Sequence, residues 1–353
     1  MRKGKRLIAW IMAVVMLFTI CVFGGNGTAE AAATTPVAKH GRLSVKGADL
    51  VDSKGNKFQL RGISTHGINW DVGSPYVNKK AFKTLRDDWG VNAIRLAMYT
   101  EEYNGYCSSG SQAKLRKQVD KGVGYATDLG MYAIIDWHIL SDGNPNKNKS
   151  QAKKFFTAMA KKYKNNKNVI YEICNEPNGC SWKEIKSYAT DIIKTIRKYD
   201  KKAVIIVGTP TWSQLGTDGT SNEVADSPIK GYKNIMYSLH FYASEWAHNE
   251  YLPAKVAYAR KKKLPIIVSE FGLSPASGDG AINKASADKW MKLLNKYNIS
   301  YFCWSLSNKN ESASLLKPST KKTSGWKSGD LSTAGKYIKK KYLARKKALG
   351  KKA

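Results

Sequence analysis

Short apolar runs and amphipathic segments alternate along the chain. The apolar runs are rich in β-branched residues and bounded by turn residues, which is typical of strands buried on both faces. The segments between them, such as SQAKKFFTAMAKKYKN and KASADKWMKLLNKYN, place apolar residues three and four positions apart and so predict helices. The predicted strands are Leu60–Ser64, Ala93–Tyr99, Tyr132–His138, Val169–Asn175, Ala203–Gly208, Ile235–Tyr242, Pro265–Glu270 and Ile299–Ser305. Eight β/α units in one domain-length chain predict an α/β fold, the (β/α)8 TIM barrel, as a single domain.

The segment before the first predicted strand reads LSVKGADLVDSKGNKFQL. Two alternating runs lie on either side of Lys54 and Gly55, which predicts a short N-terminal β-hairpin with its turn at these residues. Because this hairpin precedes the barrel strands, we expect it to close the barrel floor. We expect no second module after the barrel.

The first 33 residues have the order of a secretory signal peptide. Basic residues at positions 2, 3, 5 and 6 precede an apolar stretch from Leu7 to Phe23, and small residues run on to Ala33. A membrane anchor is the alternative, but an apolar core of about 17 residues is short for a span and the small residues favour cleavage. The sequence therefore predicts a secreted, extracellular protein without a membrane span after cleavage. Its predicted parts are the signal peptide 1–33, a linker 34–40, the catalytic barrel 41–342 and a basic tail 343–353.

The formal net charge is +32, and it stays at +29 once the signal segment is removed. Lysines outnumber arginines by 49 to 10 and are spread over every predicted helix. Dispersed lysine is typical of a solvated surface, whereas base recognition favours arginine forks, so we expect no nucleic-acid partner. The tail is the exception, because Lys336 to Ala353 holds nine basic and no acidic residues. It is either a solvated helix end or a weak attachment to an anionic cell-wall polymer.

Five cysteines occur, and Cys21 would leave with the signal segment. The remaining four, Cys107, Cys174, Cys180 and Cys303, allow three pairings and match no zinc-ligand spacing. Cys174 and Cys303 lie inside predicted strands, where cysteine is usually a small core residue. The sequence does not fix any bridge, and Cys107 with Cys180 is the preferred pair.

Two glutamates stand at the ends of apolar runs: Glu176 follows VIYEICN, and Glu270 ends PIIVSE. In a β/α barrel the residues just past each strand lie on the catalytic face, so the two carboxylates should meet there. Paired carboxylates carry out acid/base or nucleophilic chemistry on polar, uncharged substrates, and glycoside hydrolysis fits best. Three of the five histidines and several tryptophans fall at the same strand ends.

Other chemistries fit less well. The histidines and glutamates that would ligate a metal are far apart and lack an HExxH pattern, so no metal or cofactor is expected. Ser269 and Ser305 lie within predicted strands rather than in a G-x-S-x-G turn, which argues against a serine hydrolase.

Seven ordered blocks carry a family resemblance: RGISTHGINW, AIRLAMY, IDWHILSDGNPN, YEICNEPNG, SLHFYA, VSEFG and YFCWSLSNKNESASLL. Together they resemble glycoside hydrolase family 5, in particular its secreted bacterial endo-1,4-β-glucanases (cellulases). The similarity covers roughly Gly41 to Tyr342. It implies a retaining endo-glycosidase that hydrolyses internal β-1,4 bonds of cellulose and related β-glucans by double displacement.

The resemblance also implies the catalytic roles. Glu176 takes the place of the general acid/base and Glu270 that of the nucleophile, so their carboxyl groups should lie about 5 to 5.5 Å apart. Arg95 would keep Glu270 ionised, and Tyr242 would orient it. Asn175 would hydrogen-bond the sugar 2-OH. His138 and His240 complete the catalytic set and would line the same subsite.

The resemblance further implies sugar-binding residues on both sides of the cut. Trp304 would form the platform under the reacting sugar. His66, Trp70, Lys309 and Glu311 resemble the subsites on one side, and Trp212 with Trp246 those on the other. Tryptophan faces suit the apolar faces of β-glucose, and charged groups reach its hydroxyls. The tryptophans expected to serve only core packing are Trp89, Trp182, Trp290 and Trp326.

Two departures from the family pattern bear on specificity. Phe271 follows the nucleophile where the family usually has tryptophan, and Asn69-Trp70-Asp71 replaces a more common Gln-Trp-aromatic run. The added Asp71 carboxylate could change which glucan is preferred, so mixed-linkage β-glucan, xylan and mannan stay open as substrates. We expect a monomer. A protein that only binds polysaccharide is the other hypothesis, but the complete set of site residues disfavours it.

Overall fold

Eight parallel strands close into a barrel in the computed structural model, which describes residues 35–350. Neighbouring strands follow one another in the chain, and the last strand pairs with the first to close the ring. The strands of the barrel are β3 (Arg61–Thr65), β4 (Ala93–Tyr99), β5 (Tyr132–His138), β6 (Val169–Glu172), β7 (Ile205–Val207), β8 (Ile235–Tyr242), β9 (Ile266–Gly272) and β10 (Tyr301–Leu306). The predicted (β/α)8 fold is therefore confirmed.

Both faces of each barrel strand are buried, which explains why the strands read as continuous apolar runs. In β4, Ala93 belongs to an inner cluster at the barrel floor, whereas Ile94 and Leu96 pack with the surrounding helices. Because side chains alternate along a strand, Arg95 shares the inward direction of Ala93 and lies in the barrel interior. The alternation of side chains along β4 therefore places the charged group of Arg95 fully buried inside the barrel.

The helices surround the barrel and begin at polar caps. Asn78 and Ser111 accept hydrogen bonds from the first turns of their helices, and Ser181 forms a capping box with Glu184. The larger helices are α2 (Lys79–Trp89), α3 (Gln112–Asp128), α4 (Lys149–Tyr163), α5 (Trp182–Arg197), α8 (Trp246–Lys261), α9 (Lys284–Lys296) and α10 (Thr333–Gly350). Three short ones complete the series: α1 (Pro36–His40), α6 (Pro210–Ser213) and α7 (Glu223–Asp226).

The N-terminal hairpin is present, but its turn differs from the prediction. Strands β1 (Ser44–Lys46) and β2 (Asp49–Val51) pair antiparallel around Gly47, which has a φ of +59°. The predicted turn at Lys54 and Gly55 forms a second, smaller reversal with a single bridge between Val51 and Lys57. Glycine at position 47 accommodates the left-handed turn of the tight hairpin. Leu43 and Leu50 pack against the inner cluster and so cover the barrel floor.

The predicted signal segment, linker and C-terminal tail can be compared with the structure to different extents. The signal segment 1–33 lies outside the described residues, and within residues 35–350 no helix is long and apolar enough to cross a membrane. Positions 36–40 of the expected linker form α1. Helix α10 continues through Leu343 to Gly350, and Arg345 on it donates a hydrogen bond of 2.9 Å to Gln59 Oε1.

The preferred cysteine pairing is not observed. Cys107, Cys174, Cys180 and Cys303 are all free thiols within residues 35–350. Burial raises the pKa of each thiol, and for Cys180 the value is about 11. Cys107 and Cys180 are half-buried and pack against the hydrophobic core, so their position outside the strands did not mean that they form a bridge. The four tryptophans expected in the core are buried, with exposures of 0 to 3%.

Candidate active site

A cavity of about 580 Å³ opens at the carboxyl ends of the barrel strands. Its walls are the loops that follow the strands, which is the position expected for an active site in this fold. Arg95 and Asn175 lie buried below it, and Trp246 stands outside its lining with 69% of its surface exposed. The predicted site residues that line the cavity are His66, Trp70, His138, Glu176, Trp212, His240, Tyr242, Glu270, Trp304, Lys309 and Glu311.

The two predicted carboxylates meet in this cavity. One oxygen of Glu176 lies within 4.8 Å of one oxygen of Glu270. Glu270 accepts a hydrogen bond of 2.9 Å from Arg95 Nη1 at one oxygen and one of 2.7 Å from the Tyr242 hydroxyl at the other. Burial raises the pKa of Tyr242 well above its ordinary value, so its hydroxyl remains a donor. Glu270 is therefore fixed on both oxygens, with its carboxyl group facing the cavity.

Arg95 is held by three buried carboxylates rather than by Glu270 alone. Glu172 accepts from its Nε at 2.7 Å, and Asp136 lies 3.0 Å from its Nη2. Burial opposes the charge of Arg95, but these carboxylates raise its pKa above the ordinary value. Burial also raises the pKa of Asp136 to about 7 and that of Glu172 above its usual range. One cation thus stands among more acids than it can balance, which favours retention of protons in this cluster.

Glu176 is the less strongly hydrogen-bonded of the two carboxylates. Its Oε1 lies 2.8 Å from His240 Nδ1, and His240 Nε2 lies 2.9 Å from Ser269 Oγ. Burial raises the pKa of Glu176 to about 8; Arg95 opposes this shift, and the nearby carboxylates of Asp136 and Glu172 add to it. Burial lowers the pKa of His240 to about 4, so this imidazole is neutral at neutral pH. Glu176 can therefore hold a proton under conditions in which an ordinary glutamate is ionised.

His138 lines the bottom of the cavity, and Asn175 lies buried beside it. His138 Nδ1 lies 2.5 Å from Asp136 Oδ2, which orients the ring, and burial lowers the pKa of His138 well below its usual value. Asn175 accepts a hydrogen bond of 2.6 Å from Arg95 and donates one of 3.0 Å to the carbonyl of Ile139. The Trp304 ring stacks on His138 with centroids 5.2 Å apart. Contacts within the protein therefore fix the positions of the His138, Asn175 and Trp304 side chains.

One rim of the cavity, here called the first rim, carries one of the two predicted sets of sugar-binding residues. This set is His66, Trp70, Lys309 and Glu311. Lys309 Nζ lies 2.5 Å from Glu311 Oε2, and His66 Nε2 lies 3.6 Å from Glu311 Oε1. Burial opposes ionisation of Glu311, but His66 and Lys309 together lower its pKa. Trp70 stacks on Tyr99 with ring centroids 4.3 Å apart. This rim therefore combines a flat aromatic surface with fixed charges.

The opposite rim carries Trp212 and Trp246. Trp212 belongs to the short turn α6, where its φ is +51° and that of Thr211 is +57°. Left-handed backbone is uncommon for such large side chains and tends to occur at functional sites. Trp212 is 43% exposed, and Trp246 packs edge-on against Tyr251 with centroids 5.8 Å apart. The two tryptophans present open aromatic surface beside the cavity.

Within residues 35–350, only Glu176, His240 and Glu270 bring three ligand-type side chains together, with ligand atoms within 4.8 Å of one another. Glu176 is already paired with His240. Both carboxylate oxygens of Glu270 already accept hydrogen bonds, from Arg95 and from Tyr242. A cation here would lie close to the Arg95 guanidinium, which disfavours it by charge repulsion.

Sequence reasoning missed the residues that support the site from below. Asp136 and Glu172 are acidic residues inside otherwise apolar strand runs, AIIDWH and VIYEIC, and this interruption was the signal that could have identified them. Tyr99, Glu102 and Gln214 also line the cavity without having been singled out. Ser269 accompanies His240, although from the sequence it was considered only as a nucleophile.

Comparison with known proteins agrees with this geometry. The family described as Cellulase (glycosyl hydrolase family 5) matches residues 51–310. This chain belongs to glycosyl hydrolase family 5. The predicted family and the predicted enzyme class, a glycoside hydrolase, are thus confirmed.

Individual relatives of this family 5 chain cover nearly all of it. It is 47% identical to an endoglucanase of Clostridium saccharobutylicum over 95% of this chain and 72% of that protein. It is 44% identical to endoglucanase 5 of Pectobacterium carotovorum subsp. carotovorum over 92% of this chain, and it spans 62% of that protein. Among solved structures, the catalytic domain of Thermobifida fusca endoglucanase Cel5A in complex with cellotetraose superposes with a TM-score of 0.81 at 37% identity, covering 88% of this chain and 99% of that one.

Proposed function

We propose that this protein is a retaining endo-1,4-β-glucanase in which Glu270 is the nucleophile and Glu176 the general acid/base. The observation that carries the proposal is that one oxygen of Glu176 lies within 4.8 Å of one oxygen of Glu270, so the two carboxyl groups are close neighbours. Retaining glycosidases need a separation of about 5 Å, whereas inverting enzymes leave about 6.5 to 9.5 Å for a water molecule. The different surroundings of the two groups support the assignment of roles.

In the first step, a carboxylate oxygen of Glu270 attacks the anomeric carbon of the sugar. The bond from that carbon to the glycosidic oxygen breaks, and the leaving oxygen takes the proton of Glu176. Hydrogen bonds from Arg95 and Tyr242 fix Glu270 for this attack. The raised pKa of Glu176, about 8, keeps the required proton in place at neutral pH.

In the second step, Glu176 acts in its ionised form. It takes a proton from a water molecule, whose oxygen attacks the anomeric carbon and releases Glu270 as a carboxylate. The sugar thereby keeps its original anomeric configuration, and Glu176 regains its proton. His240 remains neutral beside Glu176, because burial lowers its pKa to about 4, so it does not hold Glu176 permanently in the ionised form.

The proposed substrate is an internal β-1,4-linked glucan segment. The open cavity with aromatic surfaces at opposite rims suits a chain that crosses the barrel mouth. A solved relative is bound to cellotetraose, which supports a β-glucan as substrate here as well. Mixed-linkage glucan, xylan and mannan are the alternatives, and activity on carboxymethyl cellulose, barley β-glucan, xylan and mannan compared side by side separates them.

The mechanism is tested by trapping the glycosyl-enzyme. A 2-deoxy-2-fluoro-cellobioside with a dinitrophenolate leaving group needs no general acid in the first step. We expect it to label wild-type enzyme on Glu270, as mapped by peptide mass spectrometry, and to label Glu176→Gln as well. Glu270→Gln is the matched control and should not react. Label on another carboxylate, or hydrolysis of the natural linkage with inverted product, would refute the proposed roles.

We further propose that the protein is secreted and that α10 gives it a weak affinity for anionic cell-wall polymer. The supporting observations are the signal-like sequence at 1–33 and the exposed lysines Lys346 and Lys347 near the end of α10. The double variant Lys346→Gln/Lys347→Gln spares Arg345, which packs on Gln59. Cell-wall retention at low salt should fall in this variant. Equal retention would remove the proposed role of α10, and recovery of uncleaved protein inside cells would contradict secretion.

A further inference from the structure

The loop between β4 and α3 is held by hydrogen bonds within its own backbone and by one from the side chain of Asn69, in the loop after β3. The amide of Tyr106 donates to the carbonyl of Tyr99 at 3.0 Å, and that of Cys107 donates to the carbonyl of Thr100 at 2.8 Å. The Asn69 side chain donates to the carbonyl of Asn104 at 2.8 Å. These bonds hold the loop against the first rim of the cavity.

Tyr103 projects from this fixed loop into solvent, with 77% of its surface exposed. Its carbonyl accepts a hydrogen bond of 2.6 Å from the indole nitrogen of Trp70, a residue that lines the cavity. The backbone that carries the Tyr103 ring is thus held beside the cavity, where the flat face of the ring is free to pack on the apolar face of a sugar.

Glu102, the preceding residue, lines the cavity itself. Its Oε1 accepts a hydrogen bond of 2.8 Å from the amide of Ser141. Its Oε2 is buried and has no hydrogen-bond partner within residues 35–350. An unpartnered buried carboxylate oxygen is costly, so a small rotation of the Glu102 carboxyl group that brings this oxygen to a ligand hydroxyl in the cavity would be favourable.

The barrel topology places this pair at one end of a line across the mouth. In the ring of eight strands, β3 lies opposite β7, and β4 lies opposite β8. Trp70 follows β3 and Tyr103 follows β4, whereas Trp212 and Trp246 follow β7 and β8. Trp70 and Tyr103 therefore stand side by side at one side of the mouth, opposite Trp212 and Trp246, where a polysaccharide that crosses the mouth can reach both.

We propose that Glu102 and Tyr103 form an outer carbohydrate subsite that binds one further sugar unit of the chain beyond Trp70. The Tyr103 ring packs on the apolar face of this sugar, and Glu102 Oε2 accepts a hydrogen bond from one of its hydroxyls. This subsite rests on the proposed glucanase function, which it extends from the reacting sugar to the length of chain that the enzyme recognises. It involves binding energy only and no covalent step.

The test is subsite mapping with cellohexaose labelled at its reducing end, which reports where each chain is cut. In Tyr103→Ala, cleavage modes that place a sugar beyond Trp70 should fall by about five- to tenfold relative to modes that do not. Tyr103→Phe should restore the wild-type pattern because it keeps the ring. Glu102→Gln should shift the pattern in the same direction as Tyr103→Ala. Tyr232→Ala, near Val45 of the hairpin at the barrel floor and partly buried against the core, is the control for loss of a remote tyrosine ring and should cut in wild-type proportions whatever its effect on stability.

The outcomes separate this subsite from the proposed function. A wild-type enzyme that cleaves no β-glucan would overturn both. A wild-type enzyme that cleaves cellohexaose, with a Tyr103→Ala variant that cuts in unchanged proportions, would overturn the subsite alone. A loss that is equal in all cleavage modes would also overturn it, because it would indicate a structural role for the loop.

Discussion

Nδ1 of His240 lies 2.8 Å from Oε1 of Glu176, while Nε2 of the same ring lies 2.9 Å from the hydroxyl of Ser269. A protonated imidazole at this distance would stabilise the ionised form of Glu176. Burial prevents this by lowering the pKa of His240 to about 4. The contact therefore orients the Glu176 carboxyl group without removing its proton, which is the state that the first chemical step requires.

The pH dependence of kcat/KM follows from this pair. Because the first step needs protonated Glu176 and its pKa is raised to about 8, we predict that kcat/KM on a natural glucan falls above pH about 8. Titration of His240 near pH 4 lies well below this limb and does not contribute to it. A pH–rate profile on soluble β-glucan measures the effect.

An aryl cellobioside with a good leaving group provides the control for this prediction. Its first step does not need the proton of Glu176, so formation of the glycosyl-enzyme should lose the alkaline limb. A limb that persists unchanged with both substrates would assign the titration to a group other than Glu176.

Tyr242 tests the positioning of the nucleophile. Tyr242→Phe removes the hydroxyl that donates to Glu270 at 2.7 Å but keeps the ring. A hydrogen bond to a charged group contributes about 1.5 to 3 kcal/mol, so we expect kcat to fall about 10- to 100-fold, with a melting temperature lowered by only a few degrees. Steady-state kinetics and a thermal melt of the same preparation check this. A large drop in melting temperature would mean that the hydroxyl serves the fold instead.

Glu172 tests the carboxylate cluster around Arg95. Both side chains are fully buried, and they form a hydrogen bond of 2.7 Å. Glu172→Ala leaves the buried Nε–H of Arg95 without an acceptor, while Asp136 and Glu270 still balance its charge, so we predict a loss of about 1 to 3 kcal/mol in the free energy of unfolding. Asp128→Ala is the matched control, because its ion pair with Lys79 is more than half exposed, at 51 and 55%, and exposed pairs contribute about 0 to 1 kcal/mol. Similar losses in the two variants by urea denaturation would contradict the burial argument.

Much of the barrel could be predicted because parallel strands buried on both faces have a distinct apolar signature. The bounds of β4, β5 and β8 agree with the prediction, since each is a long run of mostly apolar residues. Strand β6 was predicted to reach Asn175 but ends at Glu172. Beyond Glu172 the chain turns into the loop that carries Glu176, and an apolar pattern does not show where strand pairing stops.

The site was predictable where its residues follow strands and harder to predict beneath them. Glu176, Glu270 and the histidines stand at strand ends, so their convergence follows from topology alone. Asp136 and Glu172 stand inside strands, and only the inward direction of Arg95 explains why acids are present there. The turn of the hairpin was misplaced because Gly47 and Gly55 both have positive φ, and the sequence does not indicate which turn forms the paired strands.

Chelation tests whether Glu176, His240 and Glu270 hold a metal ion. These groups can approach one ion, but their existing partners and the nearby Arg95 disfavour it. We predict that dialysis against EDTA leaves kcat/KM unchanged, since none of the proposed steps uses a metal. The dialysed enzyme is assayed with and without added Mg²⁺, Ca²⁺ and Zn²⁺. A loss of activity that one of these ions restores would contradict the proposed mechanism.

A variant at Lys309 tests the role of the first rim in substrate binding, separately from the role of the two reacting carboxylates. Its Nζ lies 2.5 Å from Oε2 of Glu311, whose side chain is only 5% exposed, so the lysine both neutralises this carboxylate and presents a donor to the cavity. Lys309→Met keeps the length of the side chain but removes its charge. We expect KM on β-glucan to rise about tenfold while kcat changes little, because the contact is made equally in the ground and transition states. If kcat fell as much as kcat/KM, Lys309 would act in the transition state, and its place at an outer sugar would be wrong.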